Sequence, residues 1–322
     1  MSISLDTEFV RSTIELFEKK AANKAENDKN NKSREAAVGF LLGEDKLAAS
    51  KLTEDPHVGE RWKIVESNLR ECLISIPEAL DSDTNFEFAH LIHRGGRSTN
   101  FDFDAVYSHK SSSAQKTESV EFKFGKSIYD QPQFLSVYAK TGTMITSDSE
   151  PFAEYFYDNF APKLAQLAKV ELPERGFYLS KIYGTSRDVD PFFVNLHIFK
   201  MESKSNKEKL KEISNTAISE YLKTFSDKTN SLDFEAINDL FRNQIVKRFV
   251  SWDHKTKTAK LEFFEEGDMT IADEFELKLN RKGQRTSLVF TNSNEKKIQA
   301  LLRWKNHACI LGPGWQVYLK RK

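Results

Sequence analysis

The sequence predicts an α/β protein with a mixed central sheet flanked by helices, and two observations support this class. The segment GERWKIVESNLRECLISIPEAL places Val65, Leu69, Cys72 and Ile76 on one helical face, which Pro77 ends. From about residue 84, short runs rich in Phe, Val and Ile alternate with turn-forming residues. The helical segment followed by these short runs predicts a helix followed by a three-stranded antiparallel meander.

The flanking segments add further elements to this core. Residues 5–20 have loosely helical spacing, and the polar stretch AANKAENDKNNKSRE is either a solvated helix or a mobile linker. SEPFAEYFYDNFAPKLAQLAKV predicts a helix to about 170, whereas GFYLSKIYG and DPFFVNLHIFK are interpreted as two strands. Residues 206–250 are predicted to be mainly helical.

The region from 258 onward is predicted to be β-rich, with a short helix near 294–304. We therefore divide the chain into three parts. Residues 1–58 form a helical N-terminal extension, residues 59–205 form the core, and residues 206–322 form a helical and β-rich C-terminal part.

Composition limits the class of partner and the compartment. The 48 basic residues balance the 48 acidic residues, so any surface that attracts a polyanion must arise from local sorting of charge. The two cysteines are far apart and form no Cys-x-x-Cys pair, which favours free buried thiols in a reducing compartment. No segment has the roughly 20 apolar residues of a membrane span. We expect a soluble intracellular protein, in the cytoplasm or the nucleus, without a membrane partner.

Two of the predicted strands present charge on one face and aromatic side chains on the other. In FDFDAVY, Asp102 and Asp104 share a face, and in VEFKFG, Glu121 and Lys123 share a face. If these strands pair as a hairpin, carboxylates from both come close together, and they repel unless a cation lies between them. Mg²⁺ prefers such hard oxygen ligands and leaves positions for water and phosphate. One or two Mg²⁺ ions are therefore the predicted cofactor.

The Glu-x-Lys triplet becomes specific only through its context. It occurs six times in the chain, and only the triplets that begin at Glu121 and Glu276 lie in convincing strands. Asp104 precedes Glu121 by 17 residues, a separation that fits a hairpin, whereas Glu276 has no such partner strand. The alternative is a two-faced sheet with a solvated charged side.

NFDFDAVY followed by VEFKFG resembles the active-site signature of the PD-(D/E)xK nuclease superfamily over about residues 60–200. The resemblance implies a restriction-endonuclease-like core in which Asp104, Glu121 and the carbonyl of Phe122 bind metal and Lys123 is the catalytic lysine. Phe103 stands where the family often has proline. Additional acidic candidates follow from the same resemblance: Asp102 and, from the preceding helix, Glu66 or Glu71.

Clusters of basic residues, together with one glutamine, are the candidate DNA contacts. They are Arg94, Arg97, Lys126, Gln133, Lys140, Arg281, Lys282, Arg285, Arg303 and Lys305. The alternative for each cluster is an ordinary solvated surface.

Together these features predict a Mg²⁺-dependent endonuclease that hydrolyses double-stranded DNA. Sequence-specific cleavage of the restriction type is favoured, by a homodimer that presents two sites to antiparallel strands. Two alternatives remain open. One is a repair, recombination or structure-selective nuclease, and the other is a catalytically silent nucleic-acid-binding module with the same fold.

Overall fold

The computed structural model describes most of the chain, and its contacts divide the chain into two compact units. The residues described are 5–76, 85–94, 101–125, 128, 133–134, 145–146, 149–184, 190–225, 232–279, 286–307, 309 and 311–319. Unit 1 is Met1–Gln131 with Ile245–Phe264, and unit 2 is Pro132–Gln244 with Glu265–Lys322. The boundaries predicted after residues 58 and 205 do not coincide with this division.

Unit 1 combines helices that precede its sheet with strands from two separate stretches of chain. Its described helices are α1 (Thr7–Glu18), α2 (Lys24–Leu42), α3 (Lys46–Thr53) and α4 (Gly59–Ile74). Its described strands are β1 (Phe86–His93), β2 (Phe103–His109), β3 (Gln115–Phe124), β5 (Lys247–Asp253) and β6 (Thr258–Glu262). Most of the polar stretch at 21–35 belongs to α2, which begins at Lys24 and for which the Asn23 side chain accepts a hydrogen bond from the Glu26 amide as an N-cap.

The described strands of unit 1 form a mixed sheet in the order β1-β2-β3-β5-β6. The predicted antiparallel meander of β1, β2 and β3 is confirmed. β3 then pairs in parallel with β5, and β6 pairs antiparallel with β5. Parallel neighbours require a long crossover connection. Here that connection contains the first segment of unit 2, residues 132–244.

One face of this sheet packs against the helices through an aromatic core. Phe103 of β2 and Phe122 of β3 are buried in it, as the alternation of their strands predicts, together with Phe17 of α1. Two indoles link the elements because each donates a hydrogen bond to α1: Trp62 Nε1 to the carbonyl of Val10 at 3.1 Å, and Trp252 Nε1 to that of Phe17 at 2.7 Å. Trp62 therefore joins α4 to α1, and Trp252 joins β5 of the sheet to α1, by polar contacts as well as by apolar burial.

Unit 2 contains helices and a second, antiparallel sheet. Its described helices are α5 (Phe152–Asn159), α6 (Ala161–Ala168), α7 (Arg175–Tyr183), α8 (Pro191–Glu202), α9 (Lys204–Lys223), α10 (Phe234–Ile245, which ends at the boundary) and α11 (Glu266–Met269). Its described strands are β4 (Gln133–Phe134), β7 (Ile271–Lys278), β8 (Ser287–Asn292), β9 (Lys297–His307) and β10 (Leu311–Leu319). The sheet order is β4-β10-β9-β8-β7.

Three local predictions are wrong. The two strands expected in GFYLSKIYG and DPFFVNLHIFK are the helices α7 and α8. In α8, the Asp190 side chain caps the amide of Phe192 and Pro191 occupies the first turn, which are helix-start signals that the aromatic content obscured. The helix expected near 294–304 lies in β9, which pairs with both β8 and β10.

Two bulk features of the sequence have structural counterparts. Both Cys72 and Cys309 are buried free thiols, as predicted. None of the helices in the described ranges is long and apolar enough to cross a bilayer.

Candidate active site

The register of β2 against β3 determines which acidic residue lies beside Glu121. Phe103 pairs with Val120, and the ladder continues one residue further because the Asp102 amide donates to the Val120 carbonyl at 3.1 Å. The Asp102 carboxylate in turn accepts a hydrogen bond from the Phe122 amide through Oδ2 at 2.9 Å. Asp102 is thus held against the part of β3 that carries Glu121.

Two lysines hold the Glu121 carboxylate, one on each oxygen. Lys123, two residues further along β3, donates to Oε1. Lys247, at the start of β5, donates to Oε2 at 3.2 Å. The Lys123 side chain is 17% exposed, whereas that of Lys247 is 2% exposed. The pair therefore differs in access to solvent although it shares one carboxylate.

A further carboxyl group reaches this cluster from α2. Glu35 is partly buried and lies near enough to Asp102, Glu121 and Lys123 to interact with their charges. Its neighbour Arg34 is fully buried, donates from Nε to the carbonyl of Leu16 at 2.9 Å and stacks on the ring of Phe124. Arg34 thereby fixes the rotation of α2 that brings Glu35 to the sheet.

This cluster contains three carboxyl groups, those of Glu35, Asp102 and Glu121, and two lysines that partly neutralise them. Burial raises the pKa of Glu35 to about 8, and Asp102 and Glu121 add to this effect. Burial and then repulsion by Glu121 raise the pKa of Asp102 to about 6. Burial also opposes ionisation of Glu121, but Lys123 and Lys247 outweigh it and lower its pKa. The cluster would be stabilised by additional positive charge.

Asp104, the acid favoured by the sequence resemblance, has a different partner. It lies on β2 opposite Ser119, and its Oδ2 accepts a hydrogen bond from Arg94 Nε at 2.5 Å. The sequence pattern places Asp102 and Asp104 on the same face of the strand. The register of β2 against β3 distinguishes them, because Asp104 lies opposite Ser119 whereas Asp102 lies beside Glu121.

Of the other predicted site residues, Glu66 and Arg303 have partners within their own helix or sheet, and several lie outside the described residues. Glu66 forms an ion pair with Arg70 within α4 at 3.0 Å, and Glu71 is exposed on the same helix. Arg303 donates to the Gln316 side chain within the second sheet at 2.7 Å. Gln133 lies in β4 and Lys305 in β9, and nothing is described of either side chain. The rest lie outside the described residues: Arg97, Lys126, Lys140, Arg281, Lys282 and Arg285.

Sequence reasoning missed Glu35, and it considered Lys247 only as part of the basic stretch FRNQIVKR, a candidate DNA contact, without linking it to Glu121. The spacing of Arg34, Ala37, Val38 and Leu41 is that of a helix with one buried face, which places Glu35 at its border. Lys247 begins a strand that sequence analysis assigned to the end of a helix. Without the parallel pairing of β5 to β3, nothing in the sequence connects Lys247 to Glu121.

The donor set fits Mg²⁺, which proteins often bind through one or two carboxylates together with several waters. Asp102, just before β2, and Glu121, on β3, supply hard oxygen atoms. Within the described ranges, no three His, Cys, Asp or Glu side chains are arranged so that they could hold a metal ion by themselves. A two-carboxylate site completed by water and substrate is the arrangement that these residues favour.

Comparisons with models of protein families, with curated proteins and with solved structures found no match for this chain.

Proposed function

We propose that this chain is a Mg²⁺-dependent DNA endonuclease with a PD-(D/E)xK-type active site in a restriction-endonuclease-like core. One observation carries the proposal: Asp102, the residue before β2, is hydrogen-bonded to β3 beside Glu121, and Lys123 is bound to Glu121. The order of α4 followed by the meander of β1, β2 and β3 agrees with the helix and three strands that the resemblance implies, and it supports the same assignment.

Each residue has a distinct proposed role. Asp102, Glu121 and the carbonyl of Phe122 would hold one Mg²⁺ ion, and Glu35 would supply an oxygen for a second. A bound divalent cation neutralises charge on the scissile phosphate and lowers the pKa of an attacking water. Asp102 replaces Asp104 in this assignment because its carboxylate is the one fixed to the Phe122 amide.

Lys123 is the residue proposed to act on the reacting groups. Its side chain is partly exposed and its ammonium group is held by a single carboxylate oxygen, so it can turn toward a substrate without leaving the site. From there it would orient the attacking water by hydrogen bonding, or stabilise negative charge on the phosphate in the transition state. Asp102 remains fixed by its backbone contact while this occurs.

The substrate proposed is double-stranded DNA, cut at specific sequences by a homodimer. A symmetric dimer is the simplest way to present two identical sites to antiparallel strands. Discrete fragments from a long plain DNA would support this subclass. A preference for branched or flapped DNA would instead assign the same site to a repair or recombination nuclease.

Cleavage by matched lysine variants tests the proposed function. Supercoiled plasmid would be incubated with Mg²⁺ and with wild type, Lys123→Met or Lys278→Met. Lys278 is the control because it also ends a Glu-x-Lys triplet in a strand. Its side chain is 45% exposed, and its Nζ lies 3.8 Å from Oε2 of Glu276.

We expect Lys123→Met to lower the cleavage rate at least about 100-fold and Lys278→Met to leave it unchanged. Equal rates in all three proteins would contradict the assignment. A wild-type chain that neither cuts with Mg²⁺ nor gains DNA affinity with Ca²⁺ would instead be the silent binding module.

A further inference from the structure

Lys247 is a buried cation at the candidate site that the sequence motif does not contain. It belongs to β5, and the register of β5 places it opposite Ser119 of β3, two residues before Glu121 along β3. Its ammonium group donates to Glu121 Oε2 at 3.2 Å, and its side chain is 2% exposed. Burying an ammonium group is costly unless a partner compensates for the lost hydration. Even a paired buried charge is often no more stabilising than an apolar side chain of similar size, so packing alone does not account for a lysine at this position.

The two lysines on Glu121 are not equivalent. Lys123 is part of the motif strand and is partly open to solvent, so substrate can compete for it. Lys247 is enclosed, so its bond to Oε2 has no solvent to exchange with. Lys247 therefore holds Oε2 of Glu121 away from solvent, whereas Lys123, on Oε1, can also contact solvent or substrate.

We propose that Lys247 is a positioning residue that fixes the Glu121 carboxylate for metal binding and catalysis, a role that rests on the proposed function. By holding Oε2, it restricts rotation of the carboxylate and keeps Oε1 directed toward Lys123. Its positive charge also opposes a second cation at the same carboxylate. Lys247 therefore improves the geometry of the site and weakens its affinity for metal.

Removing Lys247 should therefore strengthen metal binding and slow cleavage. A purely structural role would not produce these opposite changes. Lys247→Met removes the opposing charge, so we expect Mn²⁺ alone, titrated by calorimetry, to bind about 3- to 10-fold more tightly. The same variant loses the orientation of Glu121, so the single-turnover cleavage rate with Mn²⁺ should fall about 10- to 100-fold. A residue that only stabilises the fold would weaken binding and cleavage together.

Three further variants complete the experiment. Arg248→Met removes a buried cation from the next position of β5, whose guanidinium lies over Phe263, and should leave Mn²⁺ affinity unchanged. Lys247→Arg restores the charge and should return Mn²⁺ affinity toward the wild-type value. If Lys247→Met fails to fold, Lys247→Gln keeps a donor for Glu121 and should show the same opposed changes, with a smaller loss of rate.

The results distinguish this inference from the function on which it rests. An active wild type that Asp102→Asn inactivates supports the nuclease. Tighter Mn²⁺ binding with slower cleavage in the Lys247 variants then supports the positioning role. Changes in the same direction, or none, overturn that role and leave the nuclease standing. A wild type that binds no Mn²⁺ and cuts no DNA overturns both.

Discussion

At the scale of single residues, the choice between two aspartates decides where the site lies. Asp102 and Asp104 are equivalent by strand alternation, and the resemblance favours Asp104. Hydrogen bonding separates them, because Asp102 accepts from the Phe122 amide whereas Asp104 accepts from Arg94. A periodicity of two residues assigns a face, but it does not assign the register against the neighbouring strand.

Paired asparagine variants test this choice. We expect Asp102→Asn to lower Mg²⁺-dependent cleavage at least about 100-fold, because it removes a charged oxygen ligand beside Glu121. Asp104→Asn should lower it less than about 10-fold, since it weakens only the contact with Arg94. The measurement is the initial rate of plasmid nicking at saturating Mg²⁺. The opposite ranking would return the metal ligand to Asp104.

At the scale of secondary-structure elements, the sequence predicts the motif strands well and the helix that supplies Glu35 poorly. Near the site, β2 and β3 alternate between buried apolar residues (Phe103, Ala105, Val120 and Phe122) and partly buried charged residues, which is a strong local signal. The first twelve residues of α2 are polar except for Ala25, and its buried face is marked by Arg34, Ala37, Val38, Leu41 and Leu42. A site residue next to a buried arginine is not visible to a search for apolar periodicity.

The docking of α2 through Arg34 can be tested directly. Arg34→Met keeps a long side chain but removes the hydrogen bond to the Leu16 carbonyl and the stacking on Phe124. We expect the free energy of unfolding to fall by about 1–3 kcal/mol, measured by urea denaturation. Cleavage should fall as well, because Glu35 is then less well positioned. An unchanged unfolding midpoint would show that α2 is held by other contacts.

An ion-pair network joins α1 to α4 and to the turn between β5 and β6, and it predicts a pH dependence. Arg61 contacts Glu15 at 2.7 Å and also binds Glu18, which Lys257 contacts at 3.1 Å. Hydrogen bonds from Lys19 and Arg61 lower the pKa of Glu15 from its ordinary 4.5 to about 2, and Arg61 lowers the pKa of Glu18. A lowered pKa in the folded state contributes stability above pH 4.5 that is lost as the pH falls toward 2.

Arg61→Met should therefore destabilise the chain by about 1 kcal/mol at neutral pH, with little effect near pH 2. Thermal unfolding of the two proteins across this pH range checks the prediction. A difference that stays constant from pH 7 to pH 2 would mean that Arg61 acts through packing rather than charge.

At the scale of the whole molecule, the division of the chain was the hardest feature to predict. Unit 1 takes β5 and β6 from residues after a segment of more than 100 residues that belongs to unit 2. Sequence analysis treats neighbouring segments as one part, so it assigned Lys247 to a C-terminal region. Long-range parallel pairing has no local signature, and for that reason the contact of Lys247 with Glu121 emerged only from the sheet order.

The most direct test of the account is to locate the metal. A crystal of the wild-type protein soaked with Mn²⁺ would be measured by anomalous diffraction. We predict a peak about 2.2 Å from carboxylate oxygens of both Asp102 and Glu121, with the Lys123 ammonium group beside it. A peak bound by Asp104 without Asp102, or no peak at these carboxylates, would contradict the proposed active site.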